Sequence, residues 1–182
     1  TAGIGRKSDG IALLASNVAR LEELQARLHA EDRRSLLIVL QGLDTSGKDG
    51  TTRAVFTGVN PNGVDVHSFG RPGPEDLDHD YLWRVHRRTP GRGDIGVFNR
   101  SQYEDVLIAR VEKLVPKATW SRRYRHINEF ERMLVDEGTT IIKCFLHISS
   151  DEQMERLESR IETPRKNWKI EPADFEARAR WR

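Results

Sequence analysis

Apolar residues along this chain follow two rhythms. Unbroken runs at 36–41, 95–98 and 140–147 predict buried strands of a parallel sheet. The shorter Val64-Asp65-Val66-His67 predicts a weaker strand. Between these runs, charged segments near 75–88, 101–111, 122–137 and 151–161 carry apolar residues at helical spacing. Strands alternating with amphipathic helices predict an α/β fold with helices on both faces of a central parallel sheet. An opening helix is expected at about 9–30, where Ile11, Leu14, Val18, Leu21 and Leu28 fall at spacings of three, four or seven. That stripe either covers one edge of the sheet or seeds a dimer. The expected organisation is a helical segment over 1–32 followed by one α/β domain over 33–182, with no internal repeat.

At 182 residues the chain is long enough to bury a full core. A charged fraction of 32% beside a hydrophobic fraction of 37% describes a soluble globule. Its net charge of +2 excludes a polycation but leaves room for local basic patches. No apolar run approaches the roughly 20 residues of a membrane span, and residues 1–7 contain no apolar signal core. The single cysteine, Cys144, sits in an apolar run and is expected to be a buried strand residue in a reducing, cytoplasmic setting. The chain starts without Met, so it is expected to be trimmed.

Candidate chemistry concentrates after the first strand. Gly42-Leu43-Asp44-Thr45-Ser46-Gly47-Lys48 lies between the run 36–40 and a segment, 50–56, that can continue as a helix. Strand, glycine loop and helix is the context of a phosphate-binding loop. Its glycines let backbone N–H groups converge on phosphate oxygens, while the helix N-terminus and Lys48 add positive charge. The position after the lysine, where a hydroxyl ordinarily holds Mg2+, is Asp49. Asp44 is therefore the best local carboxylate for the metal. Asp49 is a second candidate, or a first-turn acid favoured by the helix dipole.

The run 95–98 ends in Asn99-Arg100-Ser101-Gln102-Tyr103-Glu104-Asp105, a strand leading into a polar cluster. Beside a phosphate loop this reads as a second nucleotide-binding segment, with Arg100 on phosphate and Glu104 or Asp105 as acids. Alternatively, Ser101 simply caps a helix, with Glu104 three residues on. Cations then cluster at 84–92, at 110–125, and around a proline-bounded segment at 163–172 that reads as a lid. His67, His79, His86, His126 and His147 show no metal-ligand spacing, and no serine-hydrolase pattern is present.

With these residues on the page, the chain resembles the type 2 polyphosphate kinases. The resemblance rests on 42–51, Gly58-Val59-Asn60-Pro61, 79–86, 98–107 and 160–169, followed by Asp174, Arg178 and Trp181. It implies a P-loop kinase-like three-layer sandwich with a helical lid at about 160–175. It also implies Mg2+-dependent, reversible phosphoryl transfer from inorganic polyphosphate to AMP or ADP. Carried over, Asp44 is the loop acid and metal ligand, Lys48 the loop lysine, and Arg100 the strand-end arginine. Arg160, Lys166 and Lys169 belong to the lid. Asn99-Arg100-Ser101 with Tyr103-Glu104-Asp105-Val106 is similar to the subgroup acting on both nucleoside mono- and diphosphates, where Glu104 or Asp105 replaces the missing strand-end acid. Arg71 covers for a lysine that some members carry where this chain has Gly70. Phosphate and nucleotide contacts are expected from Gly42, Thr45, Ser46, Gly47, Asp49, Gly50, Thr51, Arg71 and Asn99. The expected partners are polyphosphate and adenine or guanine nucleotides, in a homo-oligomer without nucleic acid or membrane. The family continues past Trp181, so the chain is expected to be truncated at its C-terminus. The rivals are an ATP-dependent small-molecule kinase and a nucleotide-dependent protein binding nucleic acid through 110–125.

Overall fold

The structure, a computed structural model, describes residues 5–165. Among these residues four parallel strands form one sheet: β1 (Ser35–Gly42), β2 (Val64–His67), β3 (Ile95–Asn99) and β4 (Thr139–Leu146), in the order β2-β3-β1-β4. β1 is central and pairs with both β3 and β4, which is why its run of leucine, isoleucine and valine lacks the polar alternation of a half-solvated strand.

Successive side chains of β1 feed opposite faces of the sheet. On one face Leu37 and Val39 pack with Phe69, Val85, Phe98, Phe130 and Leu134. Val85 belongs to the short helix α4 (Trp83–His86), and the last two residues to α6 (Lys117–Asp136). On the other face Leu40 packs with Ile95 and Val97, joined by Leu28 and Phe56. These come from α1 (Lys7–Glu31) and α2 (Lys48–Phe56). Helices on both sides of one parallel sheet make the expected α/β three-layer sandwich. No described helix is long and apolar enough to cross a membrane.

Three elements depart from their expected form. The segment 75–88 is two short helices, α3 (Pro74–Leu77) and α4, rather than one. Asp80 interrupts it: its carboxylate accepts from Leu82 N at 2.9 Å while its carbonyl accepts from Trp83 N at 3.0 Å, a local turn that competes with the helix. β4 lies at the edge, so Ile142 and Phe145 stay 46% and 59% exposed instead of buried. Cys144 on the same strand is half-buried. Only the C-terminal half of α1 covers the sheet. There Leu28 joins the core and Gln25 is buried, while Ile11 and Leu14 are exposed.

Candidate active site

β1 and β3 are neighbours, and Leu40 registers with Asn99, so the turns following the two strands emerge side by side. Ligands of open α/β sheets bind at this carboxyl edge. The turn after β1 runs through 42–47 and enters α2 at Lys48. Two glycines make its curl possible. A Cβ at Gly42 would sit 2.6 Å from Ser46 Oγ and 2.7 Å from the Leu146 carbonyl, and Gly47 holds φ 97° as the N-cap of α2. Thr45, at φ 65°, adopts the left-handed region without being glycine.

The Lys48 side chain folds back inside this loop. Its Nζ donates to the carbonyls of Gly42 (2.7 Å) and Leu43 (3.1 Å) and to Ser46 Oγ (3.5 Å). Burial, and next the charge of Arg100, push the ammonium below its ordinary pKa. Ser46 and Thr45 are buried, whereas Asp49 is exposed on the first turn of α2. Gly50 is exposed and Thr51 half-buried on that same turn.

The turn after β3 meets the loop. Arg100 Nη2 donates to Asp44 Oδ1 at 3.0 Å, and Asn99 Nδ2 donates to Asp49 Oδ1 at 2.7 Å. Arg100 also holds a left-handed backbone, at φ 68°. Ser101 does not cap the next helix as its spacing suggests. It is fully buried, its Oγ accepting from Gln41 Nε2 (3.2 Å) and Tyr103 N (3.3 Å), and α5 (Glu104–Val111) begins at Glu104.

The two expected acids part company. Burial raises the Glu104 pKa, opposed by the charges of Arg100 and Lys48 and by a hydrogen bond from Gln41, so Glu104 shares the electrostatic field of the loop. Asp105 belongs to a different pair. Arg84 Nη2 meets its carboxylate at 3.1 Å, and Arg84 Nη1 donates to the Gly70 carbonyl at 2.8 Å. Burial raises the pKa of Asp105 as well, and there Arg84 is the chief opposing charge. Arg71, next to Gly70, is exposed.

The helix α7 (Ser150–Glu162) docks on the loop from above the sheet edge. Arg156 Nη1 donates to the Thr45 carbonyl at 3.0 Å while its Nε pairs with Glu152 at 2.6 Å, and Gln153 Nε2 donates to the Asp44 carbonyl at 3.1 Å. A Cβ on Gly47 would come 3.1 Å from Arg156 Nη1, a second reason for glycine there. Arg156 belongs to the cations that cluster around the expected lid, whereas no motif marks Gln153; its signal is spacing, since Gln153, Arg156 and Arg160 share one helix face at three and four residues. Arg160 is half-buried in the last turn of α7; Lys166 and Lys169 lie outside the described residues, with most of the expected lid.

No group of three or more metal-ligating side chains occurs among the described residues. Mg2+ does not demand one, because it is bound through one or two carboxylates with substrate phosphates and water. The loop offers that donor set: a half-exposed Asp44, with Asp49 on the first turn of α2. The residues fit the ion.

A glycine loop around a lysine, at the carboxyl edge of a parallel sheet and faced by an arginine from the neighbouring strand, defines a P-loop phosphotransferase architecture. The sequence profile of the Polyphosphate kinase 2 (PPK2) family matches residues 6–182, and the chain belongs to that family. It is 55% identical over 177 residues to the AMP/ADP-polyphosphate phosphotransferase of Meiothermus ruber, covering 97% of this chain and 66% of that one. It is 47% identical over 181 residues to the ADP-polyphosphate phosphotransferase of Rhodopseudomonas palustris, covering 93% and 63%. The crystal structure of polyphosphate kinase 2 from Arthrobacter aurescens TC1 superposes with a TM-score of 0.94 at 47% identity, covering 98% of this chain and 64% of that one. The chain thus spans about two thirds of the length of these relatives.

Proposed function

We propose that this chain carries the site of reversible, Mg2+-dependent phosphoryl transfer from inorganic polyphosphate to AMP and ADP, yielding ADP and ATP. The observation that carries the reading is the convergence of Lys48, Asp44, Arg100 and Glu104 on one phosphate-sized loop. The choice of substrates follows the names of the Meiothermus and Rhodopseudomonas relatives.

Phosphoryl transfer is chiefly a matter of positioning and charge neutralisation. The loop N–H groups and Lys48 bind phosphate oxygens, exchanging the ammonium's contacts with the Gly42 and Leu43 carbonyls for the ligand. Arg100, half-exposed at the rim and paired with Asp44, offers a planar fork to the transferred group. Asp44, with Asp49 beside it, is the residue to hold Mg2+, which when bound supplies further positive charge to the phosphoryl oxygens. The attacking group is a phosphate oxygen already ionised at neutral pH, so Glu104 need not act as a strong base. Its carboxylate orients the cations around it. Arg160, and with it Lys166 and Lys169, would close over the junction and exclude water.

The test is transfer in the presence of AMP or ADP, long-chain polyphosphate and Mg2+ without ATP, with GDP as a competing acceptor. Formation of ADP or ATP, lost about 100-fold or more in Lys48→Ala, is the expected result. Transfer from ATP with none from polyphosphate would assign the site to an ordinary small-molecule kinase. Near-normal turnover in Lys48→Ala would remove the loop from the mechanism.

A further inference from the structure

The turn that brings Arg100 and Glu104 to the loop is held from behind by a buried carboxylate that no phosphate reaches. Glu131, on α6, is only 7% exposed. Its Oε1 accepts from Gln102 Nε2 at 3.0 Å and from the Tyr103 hydroxyl at 2.8 Å. Its Oε2 accepts from Lys143 Nζ of β4 at 2.6 Å, and the same ammonium reaches the Tyr103 hydroxyl at 3.2 Å. One side chain therefore grips two consecutive residues of the turn and anchors them to the edge strand.

Every residue from 100 to 103 is tied down by a partner distant in sequence. Arg100 N donates to the Leu40 carbonyl at 3.1 Å, Ser101 Oγ accepts from Gln41, and Gln102 and Tyr103 donate to Glu131. Arg100 needs such restraint, because a left-handed non-glycine residue relaxes unless its surroundings over-determine it. Gln102 shows the same demand: it is wholly buried and keeps its amide N–H on Glu131 although its own Oε1 finds no partner among the described residues. The pair of Glu131 and Lys143 joins a buried carboxylate to a half-exposed ammonium, so its Coulombic gain is partly screened by solvent and it is a poor device for stability. It does fix direction. Burial and the Glu131 hydrogen bond also raise the Tyr103 pKa, keeping its hydroxyl a neutral donor, while Lys143 is raised chiefly by its bond to Glu131 and stays charged.

We propose that Glu131 is a positioning residue of the transfer site, which through Gln102 and Tyr103 sets the turn that aims Arg100 and Glu104 at the phosphate loop. The proposal rests on the phosphoryl-transfer reading of that loop.

The test compares the whole chain with its Glu131→Leu, Glu131→Gln and Tyr103→Phe variants. Four quantities are read: kcat and nucleotide KM for polyphosphate-driven transfer, tripolyphosphate affinity by calorimetry, and Tm. Glu131→Leu is expected to lower kcat by about 50-fold with nucleotide KM within about twofold, and to weaken tripolyphosphate binding. Glu131→Gln keeps an acceptor for both turn residues and is expected to recover kcat to within about fivefold of wild type. A folded Glu131→Leu with wild-type kcat and tripolyphosphate affinity, changed only in Tm, would overturn the proposal. Should Glu131→Leu not fold, Tyr103→Phe decides by removing a single hydroxyl: a several-fold loss of kcat supports positioning, and an unchanged kcat overturns it. If the wild type transfers nothing from polyphosphate, the functional reading fails on its own account, and tripolyphosphate affinity still judges Glu131. Weaker binding in Glu131→Leu supports its role; equal binding, or none in the wild type, overturns it.

Discussion

Arg100 and Asp44, 56 residues apart in sequence, meet at 3.0 Å and tie the turn after β3 to the turn after β1. Both side chains remain 42–45% exposed, so the pair adds little to stability. Its setting is strained: Arg100 and Thr45, the residue after Asp44, are both left-handed, at a cost of about 1 kcal/mol each. On the proposed function, an incoming phosphate would take the guanidinium from the carboxylate while a cation takes the carboxylate.

Asp44→Asn and Arg100→Gln should therefore separate activity from stability. Each is expected to lower kcat by about 100-fold while shifting Tm by no more than about 3 °C. On the proposed function the two serve one phosphoryl group, so the double variant should be little worse than either single one. Steady-state kinetics with thermal melts checks this. Fully multiplicative losses would show that the residues serve separate steps.

Glu104 carries a pH signature. Burial raises its carboxyl pKa above the usual value despite Arg100 and Lys48 nearby. Folded protein thus holds this proton more tightly than unfolded chain does. The associated stability is fully present below the usual carboxylate pKa and is lost as pH rises through the raised folded value. Glu104→Gln removes that loss, and is expected to melt higher than wild type at pH 7 while turning over about tenfold more slowly. The acid limb of the wild-type pH–rate profile should lie above the ordinary carboxylate range and vanish in the variant. A limb unchanged in Glu104→Gln would assign it to another group.

What the sequence discloses and what it hides divide along physical lines. β1, the glycine loop and Lys48 are legible because strand burial and loop curvature are local demands, met by leucine, isoleucine and valine and then by glycine. The alternative in which Ser101 caps the next helix fails because its side-chain partner, Gln41, lies 60 residues away. Glu104 and Asp105 look equivalent in sequence, yet consecutive helical residues point about 100° apart, and only the docked helix decides which faces the loop. Likewise, nothing in the apolar stripe of α1 says that Leu28 is covered while Ile11 is not.

Asp105 should answer oppositely to Glu104. Its partner Arg84 has a side chain only 10% exposed, and it also holds the Gly70 carbonyl. Burial raises the Asp105 pKa as it does that of Glu104, but Asp105→Asn leaves a guanidinium that is itself buried beside a neutral group, so a net loss of about 1 kcal/mol in unfolding free energy is expected. Turnover at a temperature where the variant is folded should fall less than in Glu104→Gln. Denaturant melts and kinetics on the two neighbours settle it; an Asp105→Asn variant of native stability but little activity would move Asp105 to the reacting centre.

Arg156 offers the last test, because it joins α7 to the loop through backbone rather than side chain. Its guanidinium serves Glu152 with Nε and the Thr45 carbonyl with Nη1 at once. Lysine cannot present two donors in that fixed fork. In Arg156→Lys the bond from Gln153 to the Asp44 carbonyl would remain. Asp44 and Thr45 shape the phosphate cradle, so loosening their carbonyls should weaken ligand binding more than chemistry. The expected outcome is a KM for polyphosphate or nucleotide raised about tenfold with kcat within about threefold of wild type. Equal KM values in variant and wild type would mean that the loop keeps its shape without the Arg156 fork.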